Sequence, residues 1–164
     1  MAVWHVYGGD YWSVELEWVP PTKWKGNPRI ELDDDAYDSF GMYRFERSHH
    51  LQNRPRELTY VGLAFRQSIG ERVYQHPHSQ LAEWKKKGNL WVSYAPVVLK
   101  GRHYRQRYEE VEHLLTYFGQ PREAMKKFGS VPSCFLHIVN AGWKGTLPRE
   151  IRYPVAEIIG LRTT

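Results

Sequence analysis

Three residues with the chemistry of a phosphate site lie within one short segment, Tyr60 to His76. Arg72 and His76 are four residues apart, so in a helix they lie one turn above the other on the same face. Tyr60 precedes them in a segment with a strand pattern. A guanidinium supplies a permanent charge and forked donors, which suit a phosphate group. This grouping therefore predicts a phosphate-binding site.

The pattern around these residues predicts a strand followed by a helix. Residues 57 to 64 alternate, which places Leu58, Tyr60 and Gly62 on one side of a strand and Thr59, Val61 and Leu63 on the other. Ser68 and Glu71 have the spacing of a capping box, in which each side chain bonds a free amide at the start of a helix. Pro77 interrupts or ends that helix near His76.

The rest of the chain alternates strand and helix patterns without an internal repeat. Residues 1–19 predict a hairpin with Trp12, Val14, Leu16 and Trp18 on its buried face. Further strands are expected at 40–46, 90–99 and 134–139, and helices at 78–87, 104–118 and 121–128. Trp24 is expected to fold onto the core, with stacking on a base as the alternative. Residues 33–35 are interpreted as a solvated turn or helix start rather than a metal site.

Composition places the chain in the class of soluble globular proteins. Its 164 residues are 41% hydrophobic and 25% charged, which is the ordinary balance for one domain. No apolar run is long enough to span a membrane and no signal pattern opens the chain, so no membrane partner is expected. The single cysteine, Cys134, provides neither a disulfide framework nor a cysteine-based zinc site. A cytoplasmic, intracellular location fits this best, with secretion of a chain without disulfides as the alternative.

Charge is unevenly distributed along the chain. Residues 1–40 carry eight acidic and three basic side chains, whereas residues 41–164 carry twenty basic and ten acidic. Between Trp84 and Tyr108 there are seven basic residues and no acid: Lys85, Lys86, Lys87, Lys100, Arg102, Arg105 and Arg107. Segregation of this kind favours a polyanionic partner, although a solvated basic surface gives the same pattern.

The order of these motifs resembles the GIY-YIG nuclease superfamily, with a restriction-endonuclease-like member favoured. The matching residues are Gly41-Met42-Tyr43 and Tyr60-Val61-Gly62 for the two signatures, Arg72 and His76 on the first helix, and Glu112 on the later helix. The resemblance covers about residues 40 to 120. It implies an α+β fold with a small, mostly antiparallel sheet flanked by helices. Within a single domain, we expect a catalytic core at 40–128, a β-rich N-terminal extension at 1–39 and a C-terminal extension at 129–164.

The resemblance also implies roles for individual residues in phosphodiester hydrolysis. Tyr43 would be the general base or position the water, with its pKa lowered by nearby cations. Arg72 would neutralise the scissile phosphate, and Glu112 would hold one Mg2+ or Mn2+. Tyr60 and His76 would hydrogen-bond the nucleophile, the phosphate or Tyr43. The glycines of the signatures, Gly41 and Gly62, would permit close approach of the backbone.

These expectations define a partner and its alternatives. The basic segment, together with Arg44 and Arg66, is expected to contact the backbone of DNA, with duplex favoured and a homodimer able to cut both strands. Residues 1–39, 47–56 and 130–164 are the candidates for reading sequence. A catalytically silent nucleic-acid-binding domain is the main alternative, and a repair or RNA-directed nuclease is a weaker one.

Overall fold

A computed structural model describes residues 3–6, 9–97, 105–123 and 135–153. Strands and helices are both present, which confirms the α+β class. The strands are β1 Val3–Val6, β2 Gly9–Trp18, β3 Thr22–Lys23, β4 Gly41–Ser48, β5 Glu57–Ala64, β6 Asn89–Pro96, β7 Phe135–Gly142 and β8 Glu150–Tyr153. The helices are α1 Pro28–Glu31, α2 Asp34–Asp38, α3 Ile69–Tyr74, α4 His78–Lys86 and α5 Arg105–Gly119. Strands at Gly41, Glu57 and Asn89 and the helix at Arg105 begin within two residues of their expected positions.

Four strands form an antiparallel sheet, here called the core sheet, in the order β3-β6-β4-β5. The two strands that carry the signature tripeptides are neighbours, and Tyr43 lies opposite Gly62. On its other side Tyr43 lies opposite Tyr94. The core sheet therefore brings both signatures together in the first half of β4.

The two ends of the chain share a second sheet, here called the extension sheet, in the order β1-β2-β7-β8. The expected N-terminal hairpin is present, with Val6 opposite Gly9. Strand β2 runs parallel to β7, with Trp18 opposite Gly142. The two extensions are therefore one structural unit, and β3 of the N-terminal extension belongs to the core sheet instead.

Alternation along β4 gives the core sheet two differently covered faces. Tyr43 and Phe45 lie on the first face, within a cluster that includes Ile69, Leu81 and Trp84 of the covering helices. The second face carries residues such as Met42, which packs with α5 and the extension sheet; buried residues here include Leu16, Val111, Leu115, Leu136 and Ile138.

A β-bulge changes the expected facing of β5. The register shifts between Phe45 and Glu46, so that Tyr60 lies opposite Phe45 and Leu58 opposite Glu46. The extra residue, Thr59, moves Leu58 into the second-face cluster, whereas Tyr60 stays on the first face. The expectation that Leu58 and Tyr60 share a side was therefore wrong.

The helix that carries Arg72 starts as expected and ends earlier than expected. Ser68 accepts a bond from the amide of Glu71 at 3.1 Å, and the Glu71 carboxylate accepts from the amide of Ser68 at 3.0 Å. Helix α3 stops at Tyr74, so His76 lies in the turn before α4 and not on the helix face of Arg72.

Two local expectations at the N-terminal side are also met. Trp24 is buried and packs edge-on against Phe45 at 5.7 Å, as expected of a loop tryptophan folded onto the core. Asp33 caps α2 by accepting from the amide of Ala36, which makes the acidic run a helix start. The expected helix at 121–128 lies mostly outside the described residues, and Cys134 lies outside them as well. Within the described ranges, no helix has the length and apolar character to cross a membrane.

Candidate active site

Five residues proposed from the sequence come together from four separate elements and from the turn before α4. Tyr43 of β4 and Tyr60 of β5 have ring centres 6.0 Å apart, and His76 lies 5.0 Å from Tyr60 and 6.2 Å from Tyr43. The charges of Arg72 on α3 and Glu112 on α5 both act on the two phenols. Glu112 is 52 residues from Tyr60 in the sequence, so folding is what assembles this site.

The second signature glycine is required by the ring of Tyr43. A Cβ atom added at Gly62 would lie 2.5 Å from the Tyr43 hydroxyl oxygen. At Gly41 an added Cβ would lie 2.9 Å from the amide nitrogen of Val97 and would collide with the Ala95 carbonyl. Both positions need glycine for close approach, at Gly62 to a side chain and at Gly41 to the backbone of β6.

Burial raises the pKa of the Tyr43 phenol well above its ordinary value. The neighbouring Tyr60 raises this pKa further, and the opposing effect of Arg72 is smaller. The Tyr43 hydroxyl donates a hydrogen bond to the Tyr60 hydroxyl, which also favours a protonated Tyr43. The expectation of a lowered pKa was therefore wrong, because only 1% of Tyr43 is exposed and desolvation of the phenolate outweighs the cation.

His76 is a neutral imidazole enclosed by aromatic rings. Burial and the charge of Arg72 lower the pKa of His76 to about 4. The rings of Phe45, Tyr60 and Trp84 lie 5.5, 5.0 and 5.3 Å from its centre. Among the described residues, no hydrogen-bond partner reaches its buried Nδ1. The ring can therefore accept a hydrogen bond from a group that enters the site.

The charged members of the site differ in exposure. Arg72 is partly exposed, as is Tyr60, so these two side chains form the part that a phosphate can reach. Glu112 is 4% exposed, on the margin of the apolar face of α5. Its charge acts on both phenols, and a carboxylate supplies the oxygen ligands that Mg2+ and Mn2+ prefer. Around Glu112, the described residues form no group of three or more acidic, histidine or cysteine side chains. The residues thus fit a Mg2+ or Mn2+ ion that is held by one carboxylate, with water molecules as its other ligands.

Arg44 does not belong to a phosphate-binding surface. Its side chain is completely buried on the second face of the core sheet, 4.5 Å above the ring of Trp18. Its guanidinium donates to the carbonyls of Trp143 and Lys144, and its Nε lies 3.3 Å from the Glu46 carboxylate. The expectation that Arg44 contacts DNA is incompatible with this burial, because the even-numbered residues of β4 face the extension sheet.

The basic segment is divided between two ends of the core sheet. Lys85, Lys86 and Lys87 lie where β6 begins, whereas Arg105 and Arg107 follow its far end. Several of these cations have acidic partners that the run itself lacks: Lys86–Glu83 at 3.1 Å, Lys87–Glu123 at 3.1 Å, Arg105–Glu109 at 2.7 Å and Arg107–Glu110 at 2.7 Å. Lys100 and Arg102 lie outside the described residues. Arg66 is exposed in a left-handed conformation between β5 and α3. The run is therefore not one continuous basic surface.

Sequence reasoning missed the residues that enclose the site. Trp84 contacts His76, Tyr60 and Phe45, so it lines the site from α4. Its one sequence signal was the helical spacing of Leu81 and Trp84, which indicates burial but not the neighbours of the ring.

Comparisons with models of protein families, with curated proteins and with solved structures found no match for this chain.

Proposed function

We propose that this protein is a metal-dependent DNA endonuclease that hydrolyses phosphodiester bonds. The observation that carries the proposal is the convergence of Tyr43, Tyr60, Arg72, His76 and Glu112 from distant parts of the chain. These are the residues that the GIY-YIG resemblance assigns to catalysis. Gly62, the glycine of the second signature, leaves room for the ring of Tyr43 in the same site.

In this mechanism Arg72 binds the scissile phosphate. It is the partly exposed cation of the site, and it neutralises charge that builds on the phosphoryl oxygens. Tyr43 is protonated at neutral pH, because burial raises its pKa, so we assign it to positioning the attacking water. Tyr60 holds Tyr43 through the shared hydrogen bond, and the neutral His76 accepts a hydrogen bond at Nδ1. Water adds to phosphorus and gives up a proton as the bond to the 3′ oxygen breaks, and that oxygen takes up a proton, so the products are a 5′ phosphate and a 3′ hydroxyl.

Glu112 is the residue that would hold the metal. A bound Mg2+ or Mn2+ supplies positive charge that stabilises phosphoryl and leaving oxygens. Glu112 is buried, and its charge acts on both phenols of the site. Substitution of Glu112 therefore tests the metal requirement, whereas substitution of Arg72 tests phosphate binding.

We further propose intracellular duplex DNA as the substrate and a restriction-type enzyme as the subtype. One site cuts one strand at a time, so double-strand cleavage would use a homodimer or two successive events. The burial of Tyr43, His76 and Glu112 favours a second candidate, a nucleic-acid-binding domain without catalysis, since reacting groups must reach the substrate.

The test is incubation of the purified protein with supercoiled plasmid, with and without Mg2+ or Mn2+. We expect nicked or linear product that requires the metal, and sequencing of its ends gives discrete positions for a restriction-type enzyme. Arg72→Ala and Glu112→Gln should each lower the rate at least about 100-fold, the usual loss when one group that stabilises transition-state charge is removed.

A matched control is Arg152→Ala, which removes an arginine of the extension sheet that is 70% exposed. Its cleavage rate should equal that of the wild type. Salt-sensitive DNA binding without cleavage under either metal would refute the nuclease and support the binding domain. Preference for RNA or for branched or damaged DNA would instead identify the weaker alternative.

A further inference from the structure

The β4–β5 hairpin ends in residues 49–56, here called the hairpin tip, which presents an isolated leucine to solvent. Leu51 is 90% exposed. Four of its exposed neighbours in the tip are histidines or arginines, His49, His50, Arg54 and Arg56, and the fifth is Asn53. No acidic residue occurs between Glu46 and Glu57.

The hairpin tip is held in a defined conformation from the neighbouring strand. The side-chain amide of Asn89 donates to the carbonyls of His50 at 3.0 Å and Gln52 at 3.2 Å. The amide of Gln52 donates to the carbonyl of His49 at 2.9 Å, and Ser48 donates to Gln52 at 3.2 Å. Leu51 is thus projected outward by a bonded loop, and its exposure does not follow from a lack of structure.

The surroundings of the hairpin tip carry an excess of positive charge. The end of α4 lies against this end of β4, where a Cβ at Gly88 would collide with the Ser48 carbonyl. The basic residues here are Arg47, Arg54, Arg56, Lys85, Lys86, Lys87 and Arg122, and the acidic ones are Glu57, Glu83 and Glu123. The three acids pair with four of the cations. Arg54, Arg56 and Lys85 have no ion-pair partner within the described part of the chain.

The spacing between the hairpin tip and the candidate site suits a duplex. From Tyr43 to Ser48 is five residues of strand, roughly 17 Å. That distance is about five base pairs along B-DNA at ~3.4 Å each. Trp84 contacts the site through His76 and Tyr60, and Lys85 follows it directly, so the basic residues continue from the side of the core sheet that carries the site.

We infer that the hairpin tip is a groove-contacting element for duplex DNA, in which Leu51 packs against bases while Arg54 and Arg56 bind flanking phosphates. The inference rests on the proposed function for the position of the scissile phosphate. A protein partner is less favoured because stable protein interfaces need an apolar area far larger than one leucine. An apolar wedge between flanking cations is a known way of entering a DNA groove.

The experiment measures binding of the full chain to a fluorescent 30-base-pair duplex by anisotropy, with EDTA present to prevent cleavage. Leu51→Ala should weaken binding on the order of tenfold, because the contact with bases is lost. Arg54→Ala and Arg56→Ala should each reduce the slope of log affinity against log salt by about 0.9. Trp143→Ala is the matched control, since this residue is also exposed, at 62%, but lies directly after β7 of the extension sheet. Its affinity should equal that of the wild type.

The results separate this inference from the nuclease proposal. Weaker binding by Leu51→Ala in a protein that never cleaves would support the groove contact and refute the nuclease. Unchanged affinity and cleavage rate in Leu51→Ala would refute the groove contact and leave the nuclease standing. The groove contact would also be refuted if the wild type did not bind the duplex. It would likewise be refuted if Leu51→Ala changed only the self-association of the protein, as measured by sedimentation.

Discussion

The buried His76 makes a specific prediction about stability in acid. Its pKa of about 4 in the folded protein is lower than the ordinary histidine value of 6.5 that applies to the unfolded chain. Between these values the unfolded state binds more protons than the folded state, so acid favours unfolding. The contribution of neutral His76 to the free energy of unfolding is fully present above pH 6.5 and is lost as the pH falls toward 4.

The size of the effect follows from the two pKa values. As the pH falls from above 6.5 to below 4, titration of His76 lowers the free energy of unfolding by about 3 kcal/mol. About 2 kcal/mol of this is lost between pH 7 and pH 5. The cause is burial among Phe45, Tyr60 and Trp84, which cannot solvate an imidazolium, together with repulsion from Arg72. At pH 5 most carboxylates still carry their charge, so His76 can be observed with little interference.

The assay is urea unfolding at pH 7 and pH 5 for the wild type and for His76→Phe. Phenylalanine keeps an aromatic ring among the same neighbours but does not titrate. Between pH 7 and pH 5, the free energy of unfolding should fall by about 2 kcal/mol more in the wild type than in the variant. This corresponds to a shift of the unfolding midpoint by about 1 M urea, at a typical dependence of the free energy on urea concentration for a protein of this size. Contributions of the other histidines cancel in the comparison. Equal losses in the two proteins would show that His76 titrates normally and would refute the enclosed, neutral imidazole.

Two further predictions concern packing at the two faces of β4. Gly62→Ala should displace the ring of Tyr43 and reduce the cleavage rate strongly, since a shift of about 1 Å can cost 100-fold in rate. In a Tyr43→Ala background, Gly62→Ala should lower the free energy of unfolding much less, as a double-mutant cycle of urea unfolding would show. Additive losses would refute the contact between Gly62 and Tyr43. Arg44→Met should destabilise the fold by about 3 to 5 kcal/mol because it leaves Glu46 as an unpaired buried charge. Arg44→Met combined with Glu46→Gln should recover part of that loss in the same assay, and no recovery would refute the pairing.

Local patterns were sufficient for most of the secondary structure. Ser68 and Glu71 identify the start of α3 because a capping box involves only four residues. The spacing of Tyr108, Val111 and Leu115 identifies the buried face of α5 for the same reason, since every contact that defines a helix is local.

The features that sequence reasoning got wrong depend on distant partners. Nothing near Thr59 indicates a bulge, because the bulge is a property of the pairing between β4 and β5. The parallel pairing of Trp18 with Gly142 joins segments more than 120 residues apart, which no local pattern encodes. The basic run is divided because β6 carries the chain from one end of the core sheet to the other.

Arg44 and Arg72 show why a set of candidate residues is only partly predictable. Both are arginines close to a signature tyrosine, and their side chains have the same chemistry. Alternation along β4 sends Arg44 into the interior, where Trp18 and two carbonyls surround it, whereas α3 leaves Arg72 partly exposed beside the phenols. The difference in role therefore comes from burial, which depends on what covers each face of the sheet.

The covering of the second face also bears on the expected division of the chain into a core at 40–128 and two extensions. Leu16 and Trp18 of β2 and Leu136 of β7 pack in the same cluster as Met42. Met42 is the middle residue of the first signature, and its neighbour Tyr43 faces the site. Because one strand presents adjacent residues to both layers, the extension sheet supports the strand that positions the phenol. The extensions are therefore part of the structure that holds the candidate site and not additions to a core that is complete without them.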